Sequence, residues 1–176
     1  MKIDLIKQYN FCPIANLNTN NNSFAELKRY PSINLHSYNN IISFTSNIKN
    51  LGLPAKNYNL DNKTILITGA TGTLGNALIK ELLQNYKPKQ IVVFSRDEYK
   101  QYKMKQNLPK NVPIKFIIGD IRDEARVNNI LKNVDVVIHT AAMKHVSICE
   151  ENKDEALKTN FFGTLNLVSA VHLANA

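Results

Sequence analysis

The stretch "TILITGATGTLG", residues 64–75, decides the fold because it joins a short apolar run to three evenly spaced glycines. Its first residues are apolar and partly β-branched, which predicts a strand buried on both faces. The segment that follows, "TLGNALIKELLQN", places Leu74, Leu78 and Leu82 on one face of a helix. The sequence therefore predicts a strand, a glycine-rich turn and a helix in direct succession.

The three glycines form the pattern G-x-x-G-x-x-G, and each has its own expected role. Gly69 allows a tight turn, Gly72 lets the backbone approach a pyrophosphate, and Gly75 lets the helix pack closely on the strand. Free N–H groups and the dipole at the start of the helix favour bound phosphates. A merely structural turn is the alternative, but the position between this strand and this helix favours a dinucleotide site.

The chain beyond this unit continues to alternate between strand-like and helix-like segments. The runs "QIVVFS", "IKFIIGD" and "VDVVIHT" are strand-like, "EYKQYKMKQNL" and "DEARVNNILKN" are helix-like, and a long helical stretch ends the chain. Apolar strands that alternate with helices indicate an α/β fold with a parallel sheet covered on both faces. Right-handed crossovers give the strand order 3-2-1-4, an incomplete half of a Rossmann-type fold.

Composition divides the chain into an Asn-rich N-terminal extension, residues 1–60, and a nucleotide-binding domain, residues 61–176. The extension contains runs such as "NLNTNNNS", and its hydrophobic residues keep no period for long. The segment "NSFAELKRY", with Ser23 as N-cap, is its best helix candidate. Two interpretations remain open for the extension: a partly disordered or loosely packed segment, or a role in binding a substrate or a partner.

The bulk properties of the 176-residue chain exclude several classes of protein. No apolar run is long enough to span a membrane, and the N-terminus lacks the pattern of a signal peptide. The two cysteines, Cys12 and Cys149, indicate neither a metal site nor a disulfide framework, which favours a cytoplasmic location. The net charge of +8 comes from scattered lysines without a nucleic-acid motif, so no nucleic-acid partner is expected. A generally basic surface or a basic groove for small anions explains the charge.

The second predicted strand ends in Ser95-Arg96, where a dinucleotide-binding fold usually carries an acidic residue for the ribose 2′-hydroxyl. A guanidinium can bind a 2′-phosphate through two charge-assisted hydrogen bonds, and the hydroxyl of Ser95 can add a third. NADP is therefore favoured over NAD as the cofactor. Asp97 follows directly and has two interpretations, a cofactor contact or the N-cap of the next helix.

The third predicted strand ends in Asp120-Ile121. The carboxylate of Asp120 could accept a hydrogen bond from an adenine amino group while Ile121 lines the ring. The alternative is that Asp120 caps the next helix, but Asp123 suits that cap better. We therefore expect Asp120 to be free for a ligand.

The fourth predicted strand ends in "HTAAMKHV". Small residues at Thr140, Ala141 and Ala142 would let a cofactor lie close to the backbone. Lys144 then follows at the carboxyl end of the sheet, where it suits a phosphate or a ribose hydroxyl, unless it is a solvated loop lysine. His139 is expected to be buried and hydrogen-bonded rather than catalytic.

The segments "TILITGATGTLG", "FSRDEYK", "GDIRD", "HTAAMKHV" and "LKTNFFGTLNL", in this order and spacing, resemble the extended short-chain dehydrogenase/reductase superfamily. Within it, the likeness is greatest to NADP-dependent UDP-N-acetylglucosamine 4,6-dehydratases and related polysaccharide-biosynthesis proteins, and it covers about residues 60 to 176. The cofactor contacts that this resemblance implies are Thr71, Gly72, Thr73, Leu74, Ser95, Arg96, Asp97, Glu98, Tyr99, Lys100, Asp120, Ile121, Thr140, Lys144 and Thr159.

The resemblance also implies an activity. Enzymes of this kind oxidise C4 of a nucleotide sugar by hydride transfer to NADP, eliminate water across C5–C6 and return the hydride to C6. UDP-N-acetylglucosamine is the implied substrate, Lys144 is the implied substrate contact, and the full-length form is expected to be a homo-oligomer. Two alternatives stay open: another extended reductase or epimerase acting on nucleotide sugars, or a non-catalytic NADP-binding module.

The sequence departs from this family pattern in its last part. The catalytic Ser/Thr, Asp-Lys pair and Tyr-x-x-x-Lys of the family lie after the next strand, and no Tyr-x-x-x-Lys follows "VDVVIHT" in this sequence. We therefore assign no catalytic residue and no metal ligand. We expect an N-terminal piece of a longer enzyme that is inactive alone, with "VDVVIHT" as an uncovered sheet edge.

Overall fold

The computed structural model describes residues 4–7 and 59–175. The strands of the sheet are β1 (Asp4–Lys7), β2 (Thr64–Thr68), β3 (Gln90–Ser95), β4 (Ile114–Ile118) and β5 (Val136–His139). The helices are α1 (Thr73–Asn85), α2 (Glu98–Asn107), α3 (Glu124–Leu131), α4 (Val146–Glu151), α5 (Lys153–Leu157), a π-helical turn (Lys158–Phe162) and α6 (Gly163–Asn175).

The five strands form one parallel sheet in the order β1-β5-β2-β3-β4. The four predicted strands correspond to β2, β3, β4 and β5. Their order in space, β4-β3-β2-β5, confirms the predicted order 3-2-1-4. The carboxyl ends of all these strands consequently lie at one edge of the sheet, which is where open α/β sheets bind their ligands.

The outer side of β5 is paired, contrary to the expectation of an uncovered edge. Asp4–Lys7 runs parallel to Val136–His139, with Asp4 opposite Val136 and Lys7 opposite His139. The expectation was wrong because "DLIK" is too short to show a strand period, so sequence patterns gave no sign of this distant partner. The helix candidate "NSFAELKRY" lies outside the described residues.

Two apolar layers cover the faces of the sheet, as the continuously apolar strands predicted. Neighbouring residues of β2 point to opposite faces, so Leu66 packs in one layer while Ile65 and Ile67 pack in the other. Helices α3 and α6 contribute side chains such as Leu131 to the first layer. Helices α1 and α2 cover the second face with the side chains of Ile79, Leu82 and Met104.

In the part of the chain that the structure describes, no helix combines the length and the apolar character that a membrane crossing needs.

Candidate functional site

A cavity of about 370 Å³ opens at the carboxyl ends of β2, β3 and β5 and beside the loop that follows β4. Sixteen of the eighteen cofactor contacts named from the sequence line it, which are all except Glu98 and Tyr99. Both of these lie on the exposed side of α2. The structure therefore brings together residues from the regions at the ends of β2, β3, β4 and β5 and from the π-helical turn. These residues are Gly69, Thr71, Gly72, Thr73, Leu74, Gly75, Ser95, Arg96, Asp97, Lys100, Asp120, Ile121, Thr140, Ala141, Lys144 and Thr159.

Two of the three glycines are required by the fold itself. Gly69 has φ +65°, and a Cβ there would lie 2.6 Å from the backbone nitrogen of Ala141. A Cβ on Gly75 would lie 2.4 Å from the backbone of Ala70. Both positions therefore exclude any side chain, which agrees with the tight turn and the close helix packing expected of them.

Gly72 is different because its backbone is extended and an added Cβ would have only one close contact. It has φ −76° and ψ 174°, a conformation open to any residue, and an added Cβ would meet only the Gly69 carbonyl at 3.2 Å. Gly72 also lines the cavity. The fold alone therefore gives little reason for glycine here, whereas a ligand lying against the backbone does.

The start of α1 is open to an anion. Gly72 is its N-cap and supplies no capping side chain, and the first turn contains no acidic residue. The first N–H groups of a helix have no intrahelical acceptor, so at this end they are available to a ligand. Asn76 fixes the turn from behind, because its side-chain amide donates to the carbonyls of Thr71 and Gly72 at 3.1 and 2.9 Å.

The end of β3 carries the hydroxyl and the guanidinium that the sequence singled out. Gln101, which is buried, donates from Nε2 to Ser95 Oγ at 3.0 Å and to the carbonyl of Ile117 at 2.9 Å, and so ties the ends of β3 and β4 together. The Arg96 side chain is 54% exposed. Its nearest described carboxylate is Asp120, at 3.8 Å from NH1. The guanidinium is thus at the cavity wall, and among the described residues it has no close hydrogen-bonding partner.

Asp97 is the N-cap of α2. Its Oδ1 accepts a hydrogen bond from the Lys100 backbone N–H at 2.9 Å, and the Lys100 ammonium lies 3.4 Å from Oδ2. That backbone hydrogen bond, together with the lysine charge, holds the pKa of Asp97 below its usual value. The capping interpretation is confirmed, and the carboxylate also lines the cavity.

Asp120 does not cap α3, as expected, but its carboxylate is engaged by Arg122. Asp123 does cap α3, but Arg122 binds Asp120 with its backbone N–H at 3.0 Å and its Nε at 2.8 Å. Burial alone would raise the pKa of Asp120, yet the hydrogen bonds and charge of Arg122, with Arg96 further away, outweigh it and lower the pKa. The pattern of capping residues gave no sign of this ion pair with the arginine two residues on.

At the end of β5, His139 and Thr140 form hydrogen bonds with neighbouring threonines. His139 is buried, with Nδ1 hydrogen-bonded to Thr68 Oγ1 and Nε2 to Thr164 Oγ1 at 3.1 Å. Thr140 Oγ1 donates to the carbonyl of Thr68 at 2.7 Å. The prediction of a buried, hydrogen-bonded histidine is confirmed, although one of its edges also borders the cavity.

The loop that carries Lys144 is fixed by Asn160 in the π-helical turn. Asn160 Oδ1 accepts from the Met143 N–H at 2.8 Å, and its Nδ2 donates to the Met143 carbonyl at 2.8 Å. The neighbouring Thr159 lines the cavity and is 4% exposed, and its Oγ1 has no hydrogen-bond partner within the described residues. A buried hydroxyl of this kind is expected to meet a ligand atom.

Sequence reasoning missed several contributors to the site. Phe94 and Gly119 line the cavity, and Gly119 is packed so tightly that an added Cβ would meet the Phe94 ring at 2.4 Å. Gln101 and Asn160 position the loops without having been singled out. Glycine directly before Asp120 was the one available signal, since it marks a close approach at a strand end. Within residues 4–7 and 59–175, no cluster of His, Cys, Asp and Glu could hold a metal ion.

Comparison with known proteins gives a match to one family model, described as "Polysaccharide biosynthesis protein", over residues 65–176. This match spans the sheet from β2 onward and every residue of the cavity. It leaves out the segment before residue 65.

Two curated relatives match a similar share of the chain. A UDP-N-acetylglucosamine 4,6-dehydratase (inverting) from Campylobacter jejuni subsp. jejuni is 47% identical over 108 residues, which are 61% of this chain and 32% of that protein. A UDP-glucose 4-epimerase from Rickettsia bellii is 45% identical over 111 residues, again 61% of this chain and 32% of the relative. The matched segment therefore spans about a third of the length of these relatives.

Solved structures agree with the fold. Pen from Bacillus thuringiensis is 44% identical, with a TM-score of 0.62, and the match covers 65% of this chain and 35% of that one. DesIV, a dTDP-glucose 4,6-dehydratase from Streptomyces venezuelae with NAD and TYD bound, is 25% identical, with a TM-score of 0.58 and coverage of 63% and 36%.

Proposed function

The chain belongs to the family of polysaccharide biosynthesis proteins, and from that premise we propose that residues 61–176 are the NADP-binding part of a nucleotide-sugar 4,6-dehydratase acting on UDP-N-acetylglucosamine. Family membership makes the chain a relative of nucleotide-sugar dehydratases and epimerases of the extended short-chain dehydrogenase/reductase type. The cofactor, the sugar and the reaction are the parts that we propose.

The observation that carries the proposal is the exposed guanidinium of Arg96 at the end of β3. Its side chain is 54% exposed and lines a cavity that the uncapped start of α1 also lines. A dianionic 2′-phosphate at this strand end would find a cation and the Ser95 hydroxyl. The neighbouring Asp97 already caps α2, so its carboxylate is directed at its own helix. The NAD in the Streptomyces venezuelae structure belongs to that protein, and the choice of cofactor here rests on Arg96.

Two features of the cavity fit a dinucleotide. The open space at Gly72, which a larger side chain would fill, suits a pyrophosphate lying against the N–H groups of α1. The unpartnered hydroxyl of Thr159, near Thr140 and Lys144 on the cavity wall, suits the far ribose. When bound, NADP would supply the hydride acceptor of the reaction.

The chain's own residues bind and orient rather than transfer protons. None of the described tyrosines lines the cavity, and we assign no catalytic residue within residues 59–175. Lys144 lines the cavity, and we place it against both the cofactor and the sugar nucleotide. Asn160 fixes the loop directly before it. We further propose a cytoplasmic location and a homo-oligomeric full-length form.

A UDP-glucose 4-epimerase function is the second candidate, because the Rickettsia bellii relative is nearly as similar as the dehydratase. The two candidates share the uridine nucleotide and differ in the sugar and in the reaction. Thermal shift of the NADP-loaded protein separates them. Stabilisation by UDP-N-acetylglucosamine but not by UDP-glucose supports the dehydratase, and the reverse supports the epimerase.

Calorimetric titration with NADP and NAD tests the cofactor directly. We expect tighter binding of NADP, and we expect Arg96→Ala to weaken NADP by about 10- to 150-fold, since a lost charged hydrogen-bond pair is worth roughly 1.5–3 kcal/mol. NAD affinity should change little. Equal affinities of the unmodified chain for both nucleotides, or an unchanged NADP affinity in Arg96→Ala, would contradict the proposal.

A further inference from the structure

A row of alternating charges lies along the Arg96 side of the cavity. It begins with Arg96 after β3, continues through Asp120 and Arg122 after β4, and ends with Glu155 on α5 and Lys158 in the π-helical turn. Arg122 NH1 lies 2.6 Å from Glu155 Oε2, and Lys158 Nζ lies 3.1 Å from Glu155 Oε1. Each carboxylate in the row thus stands between two cations.

The two arginines share Asp120 unequally. Arg122 approaches Asp120 Oδ2 with NH2 at 2.7 Å and with Nε at 2.8 Å, and its backbone N–H reaches Oδ1 at 3.0 Å. Arg96 NH1 stays 3.8 Å from the same Oδ2, which is beyond the range of a hydrogen bond. Arg122 therefore satisfies both oxygens of the carboxylate, and Arg96 is held only loosely.

We propose that Arg122 is a specificity-determining residue for the nucleotide 2′-phosphate: by binding the carboxylate of Asp120 it leaves the guanidinium of Arg96 available to that phosphate. The inference rests on the proposed NADP site and concerns a residue that does not itself line the cavity. Arg122 acts through Asp120 and Arg96.

Two physical effects give Arg122 this role, and loss of the Arg122 charge would weaken NADP binding through both. Without the Arg122 charge, Asp120 would pair with Arg96 and compete with the phosphate for the guanidinium. The carboxylate would also be left with less compensation, and it would repel a dianion bound nearby. A 2′-hydroxyl carries no charge, so neither effect weakens NAD in the same way. The ratio of the NAD and NADP dissociation constants therefore isolates the effect on binding of the 2′-phosphate. A change in adenine binding alters both constants alike and cancels in the ratio.

Calorimetry of the whole chain with NADP and with NAD measures this ratio. We expect Arg122→Gln to reduce the preference for NADP by about 5- to 20-fold, a range set by partly exposed charges interacting over a few ångström. The double variant Asp120→Asn/Arg122→Gln should return to within about threefold of the original ratio, because the competing charge is gone.

The matched control is Arg126→Gln. Arg126 lies on α3, and its NH2 donates to the carbonyl of Ile118 at 3.1 Å. This variant removes the same positive charge from the same region without freeing Asp120, so the ratio should stay unchanged. Asp120→Asn alone gives a second test that does not depend on the folding of Arg122→Gln. It keeps Arg122 and should leave the ratio at or above the original value.

The outcomes separate this inference from the cofactor proposal. If the unmodified chain shows no preference for NADP, both fail. If it prefers NADP but Arg122→Gln weakens both nucleotides equally, Arg122 only supports the loop and the inference alone is overturned. A double variant that does not recover, an Arg126→Gln that loses as much preference, or a reduced ratio in Asp120→Asn overturns it as well.

Discussion

Two walls of the cavity are each built from a strand followed by a helix, but the helices begin differently. The first wall is residues 69–75, after β2, and the second wall is formed by residues 95–100 and 119–121, after β3 and β4. After β2, helix α1 begins at Gly72 with no capping side chain and no acidic residue in its first turn. After β3, helix α2 begins at Asp97, whose carboxylate caps it, with Glu98 in the first turn. Helix α3 repeats the second arrangement with Asp123 as its cap.

The difference shows which wall the fold leaves open. A capping carboxylate uses free N–H groups of a helix start and adds negative charge there, so α2 and α3 offer fewer free N–H groups to an anion than α1 does, and a phosphate beside α2 depends on Arg96. The start of α1 keeps its N–H groups available, and close contacts between the glycines and neighbouring backbone atoms determine its shape. Close packing therefore decides what the first wall tolerates, while hydrogen bonds and charges decide the properties of the second wall. The predictions that follow test this division.

The largest expected effect is on folding, at Gly75 in the first wall. Gly75→Val places a Cβ 2.4 Å from the Ala70 backbone. This overlap can be relieved only if α1 moves away from the turn that follows β2. We expect a loss of about 3 kcal/mol or more in the free energy of unfolding, or no folded protein. Urea unfolding followed by circular dichroism measures it.

Ala77→Val is the matched control for that change. Ala77 lies on the exposed side of the same helix, so the variant introduces the same branched side chain without an overlap. It should cost only the helix propensity of valine, well under about 1 kcal/mol. Similar losses in the two variants would show that the contact between Gly75 and Ala70 does not matter.

The next effect is on binding, at Gly72. In Gly72→Val the Cβ meets only the Gly69 carbonyl at 3.2 Å, and the backbone conformation is one that valine accepts, so the fold should persist. The branched side chain would occupy the space against the N–H groups of α1. We expect NADP and NAD to lose at least about 100-fold in affinity together, with a nearly unchanged circular dichroism spectrum. A variant that unfolds like Gly75→Val would show that this glycine serves the turn alone.

Much of the first wall could be predicted from the sequence, because glycine positions report backbone geometry. The spacing from Gly69 to Gly75 anticipated both the positive φ and the close helix contact that the structure contains. Four apolar runs separated by helices likewise indicated the strand order. Strand β1 could not be predicted, because four residues carry no period and their pairing with β5 joins segments far apart in sequence.

The second wall was predicted less completely, since its properties depend on which side chains meet across loops. The sequence singled out Ser95, Arg96 and Asp120 at the right strand ends, and the structure places all three on the cavity. It could not show that Gln101 joins the ends of β3 and β4, or that Arg122 engages Asp120. The first contact depends on the register of the strands, while the second is local and joins residues two positions apart.

The smallest expected effect is on the pH dependence of stability, through Asp120 in the second wall. Burial works against ionisation of this carboxyl, but Arg122 and Arg96 prevail and hold its pKa below the ordinary value of 3.8. A carboxyl with a lowered pKa in the folded chain stabilises the fold above the unfolded value, and the contribution is lost as the pH falls through the folded value. Asp120 therefore stabilises the fold at neutral pH and contributes nothing in strong acid.

We expect Asp120→Asn to lower the free energy of unfolding at neutral pH by less than about 1 kcal/mol, because Asp120 and Arg122 remain partly exposed to solvent. The difference from the unmodified chain should shrink as the pH falls below about 3.8 toward the lower pKa of the folded chain, because the carboxyl becomes neutral first in the unfolded chain and then in the folded chain. Urea unfolding at a series of pH values measures the difference.

Glu151→Gln removes an exposed carboxylate at the end of α4 and serves as the control. A difference that stays constant from neutral to acid pH would show that Asp120 holds Arg122 by shape and hydrogen bonding alone. The second wall would then resemble the first, with packing rather than charge deciding what it tolerates.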